Sequence, residues 1–430
     1  MKKPSMAIVS TFDDLCGIAG YTRFLIDQLS EDFNIQVFDL DQYFMRSNHP
    51  SVAKHAEKII SDMVRDLKKF DHVNIQLEYG TLGRDSSTII SRFKALAGSA
   101  KNLSVTFHTV LPQTPFPFGP FFEELLSFKI GKAILRVASH RRSRRLTNAV
   151  YGSLRRLQKQ NRVSIIVHTR RDARLMRYVN QFDNVFDHPL AFVSPTQAET
   201  LKSTTSIDDF PQLKKLDGGS KIIGVFGFLG EYKGFDTAVK ALFHLPENYH
   251  LAFFGGLHPN EVLKGQSVHP YIKKLLDTGH INSHFDLLQM PQTKVANFSV
   301  ADKSFFELRS NNLASRLHFM GPQTDAGFAQ AMAVCDCVVL PYLEVGQSSS
   351  GPISIAVDMG APIVAARNQA FAQFSRYHAK FGETFEIGNF LELAEKIQVV
   401  TERGHPTELP VYNTVTNRGT YVAAHLGAAK

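Results

Sequence analysis

At 430 residues, 43% of them hydrophobic and 20% charged, the chain is too long for one compact core, and its composition excludes disorder as the main state. Its three cysteines, Cys16, Cys335 and Cys337, make no CxxC pair, which argues against a disulfide framework, a zinc knuckle and a thiol redox motif, and for a reducing compartment. The net charge of +8 is local: Lys129 to Arg162 holds 11 Lys or Arg and no acid, while the other 37 basic residues face 40 acidic ones.

The first residues, "MKKPSMAIVSTF", lack the apolar core of a signal peptide, and no apolar run reaches the roughly 18 residues of a spanning helix. The expected location is the cytoplasm, with a peripheral place on the inner face of a membrane as the alternative. "MAIVS" then "YTRFLIDQLS" reads as strand then amphipathic helix, and Gly17, Ile18, Ala19 and Gly20 open that helix at the strand's carboxyl end, a position suited to an anion. "HVNIQLE" and "LSVTFH" follow as strands. His108 closes the second, ahead of the proline-stiffened "TVLPQTPFPFGP"; a structural histidine and a catalytic one both fit that place.

Residues 121–162 alternate apolar and basic side chains at helical spacing. Two descriptions fit: a helix lying on an anionic membrane surface, and a helix that packs its apolar side and solvates its basic one. A nucleic-acid-binding surface is a rival for the same arginines, disfavoured because no stacking aromatics are interleaved with them. "VSIIVHT" and "RDARLMRYV" complete a first α/β domain, 1–195. After Pro195 the sequence loosens, and 196–220 reads as a linker.

The alternation resumes in 221–405 with "KIIGVFGF", "HLAFFGG", "RLHFMG", "CDCVVLP" and "APIVAA". Strands alternating with helices predict a parallel sheet covered on both faces, here in two domains, with ligands outside the carboxyl ends of the strands. Residues 257–316 read as an insertion, and 406–430 as a weakly patterned tail that can return to the first domain.

Two junctions in this half are built for phosphate. In "GFLGEYKG", Gly227, Phe228 and Gly230 precede Lys233, so backbone and point charge approach one place; an ordinary turn with a solvated lysine fits the same residues. In "LPYLEVGQSSSGP", Gln347, Ser348, Ser349, Ser350 and Gly351 crowd a helix start, with Glu344 and Asp336 the acids nearby. Neither junction fits GxGxxG with an acid about 20 residues on, so no dinucleotide cofactor is expected.

"GFLGEYKGFDTAVKAL", "RLHFMGP" and "SSGPISIAVDMGAPIVAAR", with "GIAGYTRFLIDQL", "IQLEYGTLG", "VTFHTVLPQ" and "IIVHTRRDARLM", resemble in order and spacing the retaining glycosyltransferase family numbered four. The resemblance implies the α/β GT-B fold, two Rossmann-like doubly wound domains facing across a cleft. It also implies sugar transfer from a nucleotide-diphosphate donor to a saccharide or lipid-linked acceptor hydroxyl, with retention and with neither metal nor cofactor. By position, Lys233 would bind the diphosphate, Gly17 to Gly20 the same phosphates, Ser349 to Gly351 phosphate or sugar, and Gly321 would lie near the base. His108 would lie beside the transferred sugar.

Two departures stand out. The family's arginine is Phe228 here, and its two glutamates are Gln347 and Ile355, which leaves Glu344 as the acid that could reach the sugar. An inactive homologue therefore stays open as an alternative. A phosphorylase or epimerase of like architecture lacks its catalytic acids or cofactor lysine here.

Overall fold

The computed structural model describes residues 3–14, 16–111, 117–127, 129–160, 162–257, 269–279, 313–344, 349–378, 382–405 and 412–426. The chain divides into two compact units, Met1–His188 with Thr416–Lys430, and Pro189–Val415.

In the first unit, β1 (Ser5–Ser10), β2 (Asn34–Asp39), β3 (His72–Leu77), β4 (Asn102–Phe107), β5 (Arg162–Val167) and β6 (Val185–Asp187) form one parallel sheet, ordered β2-β1-β3-β4-β5-β6. Central strands bury both faces, which is why their apolar runs are nearly unbroken; Ala7, Val9, Val73, Ile75, Val105 and Ile165 are fully enclosed. The two strands of this sheet that sequence patterning missed, β2 and β6, lie at its edges. β2 alternates exposed and half-buried positions, and β6 has only three residues. Strands β4 and β5 pair without slippage from Asn102↔Arg162 to Phe107↔Val167, and β5 and β6 pair to Val167↔Asp187. This register sets His108, His168 and His188, each the first residue past its strand, level at the carboxyl edge.

The basic segment is helical but divided in use. Within helix Ile130–Gln158 the second half buries Val150, Tyr151 and Leu154 in the unit's core. The first half pairs with helix Phe118–Leu126 through Arg136, whose Nε donates to Glu124 Oε2 at 2.9 Å. Around that pair Phe118, Phe122, Leu126, Ile134 and Leu135 are 55–81% exposed.

In the second unit, β7 (Lys221–Phe226), β8 (Tyr249–Phe254), β9 (Leu317–Gly321), β10 (Cys337–Leu340), β11 (Ile363–Ala366) and β12 (Glu383–Phe385) form the other parallel sheet, ordered β12-β11-β10-β7-β8-β9. Counted within the unit this is the doubly wound order of dinucleotide-binding sheets, with its reversal between β7 and β10. β12, an edge strand of three residues, also escaped the patterning.

The segment 196–220, read above as a linker, belongs to this unit. It contains most of helix Pro195–Thr204, opened by a reciprocal Ser194–Gln197 capping box that the S-x-x-Q spacing would have disclosed. Of the 257–316 segment, helix Pro270–Thr278 and the turn Ala314–Arg316 are described; Tyr271, Leu275 and Arg316 are buried. The rest, apart from Leu257, His269, Gly279 and Leu313, lies outside the described residues. In the 406–430 segment, helix Tyr412–Leu426 joins the first unit from Thr416 on and buries Asn417, Tyr421, Ala424 and His425 there.

Candidate functional site

In the second unit β10 pairs with β7 as Cys337↔Ile223 and Val339↔Val225, so Pro341 leaves its strand beside Gly227 at the sheet's reversal point. Loops there diverge to opposite faces and leave a crevice. The β7 loop runs through Gly227, Phe228, Leu229 and Gly230 into the short turn Glu231–Lys233, then helix Phe235–Leu242.

Two glycines make this path possible. Gly227 has φ +115°, and a Cβ on it would meet Lys233 Cε at 3.1 Å and Nζ at 3.2 Å. Gly234, left-handed at φ +61°, lets the backbone pass so close to Pro341 that a Cβ would lie 2.2 Å from its carbonyl oxygen.

Lys233 is only 6% exposed. Its Nζ lies 3.6 Å from the Tyr342 ring centroid and 5.0 Å from that of Tyr232. Among the described residues its ammonium has no ion-pair partner, and burial pulls its pKa down to about 7. The solvated-lysine alternative is thereby set aside: this is a cation held out of water against aromatic faces.

Neighbouring donors are partly committed. The first amide of helix Phe235–Leu242, Phe235 N–H, donates to the Tyr271 hydroxyl at 3.0 Å, so that helix start is less free than its sequence implies. Helix Gly351–Asp358 has Ser350 at its N-cap, yet the Ser350 hydroxyl does not cap it. That hydroxyl is buried and lies beside that of Tyr342.

The remaining sequence candidates are placed as follows. Ser349 is half-buried and Gly351 is the first helical residue. Gln347 and Ser348 lie outside the described residues. Phe228 is 37% exposed, while Ile355 is buried in its helix. Glu344 Oε2 accepts from Gln369 N–H at 2.7 Å, at the start of the next helix. Gly321 ends β9 at φ +74°, and its carbonyl accepts from Gly255 N–H at 3.0 Å.

In the first unit Gly17 begins helix Gly17–Leu29, whose N-cap residue, Cys16, makes no side-chain cap bond. Gly17 is exposed and Ile18 half-buried, whereas Ala19 and Gly20 face inward. His108 is half-buried, and its Nε2 bonds to Gln76 Oε1 at 2.8 Å.

Sequence reading singled out His108 alone, but the register brings His168 and His188 to it. His108 and His168 ring centroids are 5.1 Å apart, as are those of His168 and His188, with Tyr21 against all three. Burial and the neighbouring His188 pull His108 down to about 3 and His168 well below its ordinary value, so both stay neutral. Among the described residues no three His, Cys, Asp or Glu are grouped to hold a metal ion. The repeated apolar-strand-then-His pattern of "VTFH" and "IIVH" was the available signal.

No protein-family model matches the sequence, and no curated protein matches it. Solved structures do. Anabaena Alr3699/HepE in complex with UDP is 15% identical at a TM-score of 0.53, covering 99% of this chain and 96% of that one. A UDP-forming α,α-trehalose-phosphate synthase from Burkholderia xenovorans is 11% identical at 0.56, covering 99% and 100%. WaaG, a glycosyltransferase involved in lipopolysaccharide biosynthesis, is 12% identical at 0.54, covering 97% and 95%. Likeness over nearly whole chains, with two parallel six-stranded sheets of matching kind, shows that this chain has the GT-B fold of glycosyltransferases.

Proposed function

We propose that the protein is a glycosyltransferase that moves a sugar from a nucleotide-diphosphate donor to an acceptor hydroxyl, with retention at the anomeric carbon and without metal or cofactor. The observation that carries this reading is Lys233: a buried ammonium with no ion-pair partner among the described residues, at the reversal point of a doubly wound sheet. A diphosphate oxygen supplies the charge that it lacks. The UDP held by the HepE structure supports a nucleoside diphosphate as that guest.

In this reading the bond between anomeric carbon and diphosphate oxygen breaks as the acceptor oxygen bonds to the same face. The departing diphosphate takes the acceptor's proton. Lys233, with the hydroxyls of Ser349 and Ser350 and the N–H groups of Ser349, Ser350 and Gly351, stabilises the charge that grows on it. Gly227, Phe228 and Gly230 line the diphosphate, Gly321 the base, and Gln347 and Ser348 the serine loop. His108 and Glu344 are assigned to the sugar, and Gly17 to Gly20 to donor phosphate.

Thermal unfolding with UDP-, GDP-, ADP- and CDP-sugars tests this. One nucleotide at 100 times its Kd should add about 2.7 kcal/mol of stability. Lys233→Ala should abolish the shift and cut turnover on the order of 10²-fold. No shift with any of the four overturns the reading. A shift with no turnover on any acceptor selects the inactive-homologue alternative, with Phe228, Gln347 and Ile355 as the lost groups.

For the acceptor we propose a saccharide or lipid-linked sugar of cell-surface polysaccharide or glycolipid synthesis, met on the cytoplasmic face of an anionic membrane. WaaG's part in lipopolysaccharide biosynthesis supports the pathway. The exposed Phe118, Phe122, Leu126, Ile134 and Leu135 beside exposed Lys129, Lys132, Arg141 and Arg145 favour the surface. Among the described residues no helix is long and apolar enough to cross a membrane. The affinity for phosphatidylglycerol vesicles in co-sedimentation should fall on the order of 10²-fold in Leu126→Ser/Leu135→Ser, since each buried leucine contributes ~1.5 kcal/mol or more. Equal binding by wild type and variant, or tighter binding to random DNA than to vesicles, removes the membrane assignment.

A further inference from the structure

Tyr342 is fixed before any ligand arrives. Its hydroxyl donates to Phe226 O at 2.8 Å, and Phe371 packs against its ring at 5.3 Å between centroids. The adjacent Leu343 N–H donates to Tyr232 O at 2.9 Å, which ties the loop after β10 to the turn that carries Lys233. The ring face is thus held at 3.6 Å from the lysine nitrogen by bonds that do not involve the lysine.

Among the described residues no nearby acid competes for that role. Glu231 shares the turn with Lys233 and is not paired with it. Asp236, in the following helix, contacts Lys240 and Lys274 at 3.6 Å each, and Glu344, in the loop of Tyr342, accepts from Gln369 N–H. An aromatic face is the electron-rich surface left to the ammonium, and such contacts strengthen when water is excluded.

We propose that Tyr342 is the positioning residue of Lys233: its ring holds the buried ammonium in place, and in its charged form, until an anionic oxygen replaces the missing carboxylate. The anion's identity rests on the donor-site reading above; the contact between ring and ammonium does not. Because burial brings the lysine's proton equilibrium close to neutrality, a modest attraction from the ring alters its charge at working pH.

The experiment titrates the full chain, labelled with ¹³C at the lysine side chains, by NMR, with Lys233 assigned through Lys233→Arg. Tyr342→Phe keeps the ring and should keep the Lys233 midpoint. Tyr342→Leu should lower it by about one pH unit, a tenfold change in the proton equilibrium. Phenylalanines carrying one, two and three ring fluorines at position 342 drain the ring face at nearly constant shape, and the midpoint should fall stepwise along them. This series decides the matter if Tyr342→Leu fails to fold. A midpoint that is the same across the series overturns the proposal. UDP binding at pH 7.5 should weaken about tenfold in Tyr342→Leu and survive in Tyr342→Phe. A wild type that binds neither UDP nor GDP, yet shows the stepwise fall, refutes the donor reading and upholds the role of Tyr342.

Discussion

The two units each gather titratable side chains at the carboxyl edge of a parallel sheet and treat them in opposite ways. In the first, Tyr21, Gln76, Thr106, His108, His188, Asn417 and Tyr421 bond to one another: the Tyr421 hydroxyl meets Thr106 Oγ1 at 2.8 Å and Gln76 Nε2 at 3.1 Å, and the Tyr21 hydroxyl donates to Asn417 Oδ1 at 2.8 Å. In the second, Lys233 has aromatic faces but no acid. A hydrogen-bonded network, even with Asn417 Nδ2 left without a partner, holds the unit together, whereas a charge without a counter-charge costs stability that a ligand can return. The same edge of the same sheet type is cross-linked by hydrogen bonds in one unit and carries a charge without a counter-charge in the other.

The pH dependence of stability should separate them most sharply. Lys233 and His108 both have folded pKa values below their unfolded ones, so in each case the unfolded state binds more protons within the window between the two, and stability rises with pH there. For His108 the window runs from about 3 to the ordinary 6.5, and stability is lost as pH falls through it. For Lys233 it runs from about 7 to 10.5, and the lysine's cost is relieved as pH climbs. Each pKa unit is worth ~1.4 kcal/mol, so each limb reaches a few kcal/mol. Urea unfolding from pH 4 to 10 should show both limbs; Lys233→Met should flatten only the upper one, and His108→Asn should shrink only the lower, which His168 shares. A variant that flattens both limbs, or neither, breaks the contrast.

Tyr421→Phe should cost about 1–3 kcal/mol in urea unfolding, because it strips one hydroxyl from buried Gln76, Thr106 and Tyr21 together. The smallest expected effect compares two helix starts. Thr324 caps helix Asp325–Val334 through Gly327 N–H at 3.1 Å, and Thr324→Ala should cost about 1 kcal/mol. Ser350 caps nothing with its hydroxyl, and Ser350→Ala should stay within about 0.5 kcal/mol while weakening nucleotide binding. Equal costs for the two serve as the counter-result.

Fold and site were legible to different depths. Interior strands announce themselves because burial on both faces demands unbroken apolar runs, as in "MAIVS" and "CVVL"; the edge strands β2, β6 and β12 lack that demand and leave no such mark. Lys233 stood out by its glycines. Its burial did not, because it arises where a turn meets the loop that leaves β10 through Pro341 and Tyr342, far along the chain. The helix Tyr412–Leu426 was opaque for a related reason: the face it buries carries Asn417, Tyr421 and His425, and its partners Gln76, Ser104 and Thr106 are polar residues inside strands. Polar packed on polar leaves no apolar stripe to read.

That helix also imposes an order on synthesis. The first unit is closed by residues 416 onward, which emerge from the ribosome only after all of 189–415 has been made. At about 5–20 residues per second, its unfinished sheet waits roughly 11–45 s with Gln76, Ser104, Thr106 and Tyr21 uncovered. The second unit, contiguous in sequence, can fold within that interval. The half that is translated first is therefore the half that is completed last, and the nascent chain depends on its carboxyl end to finish its amino end.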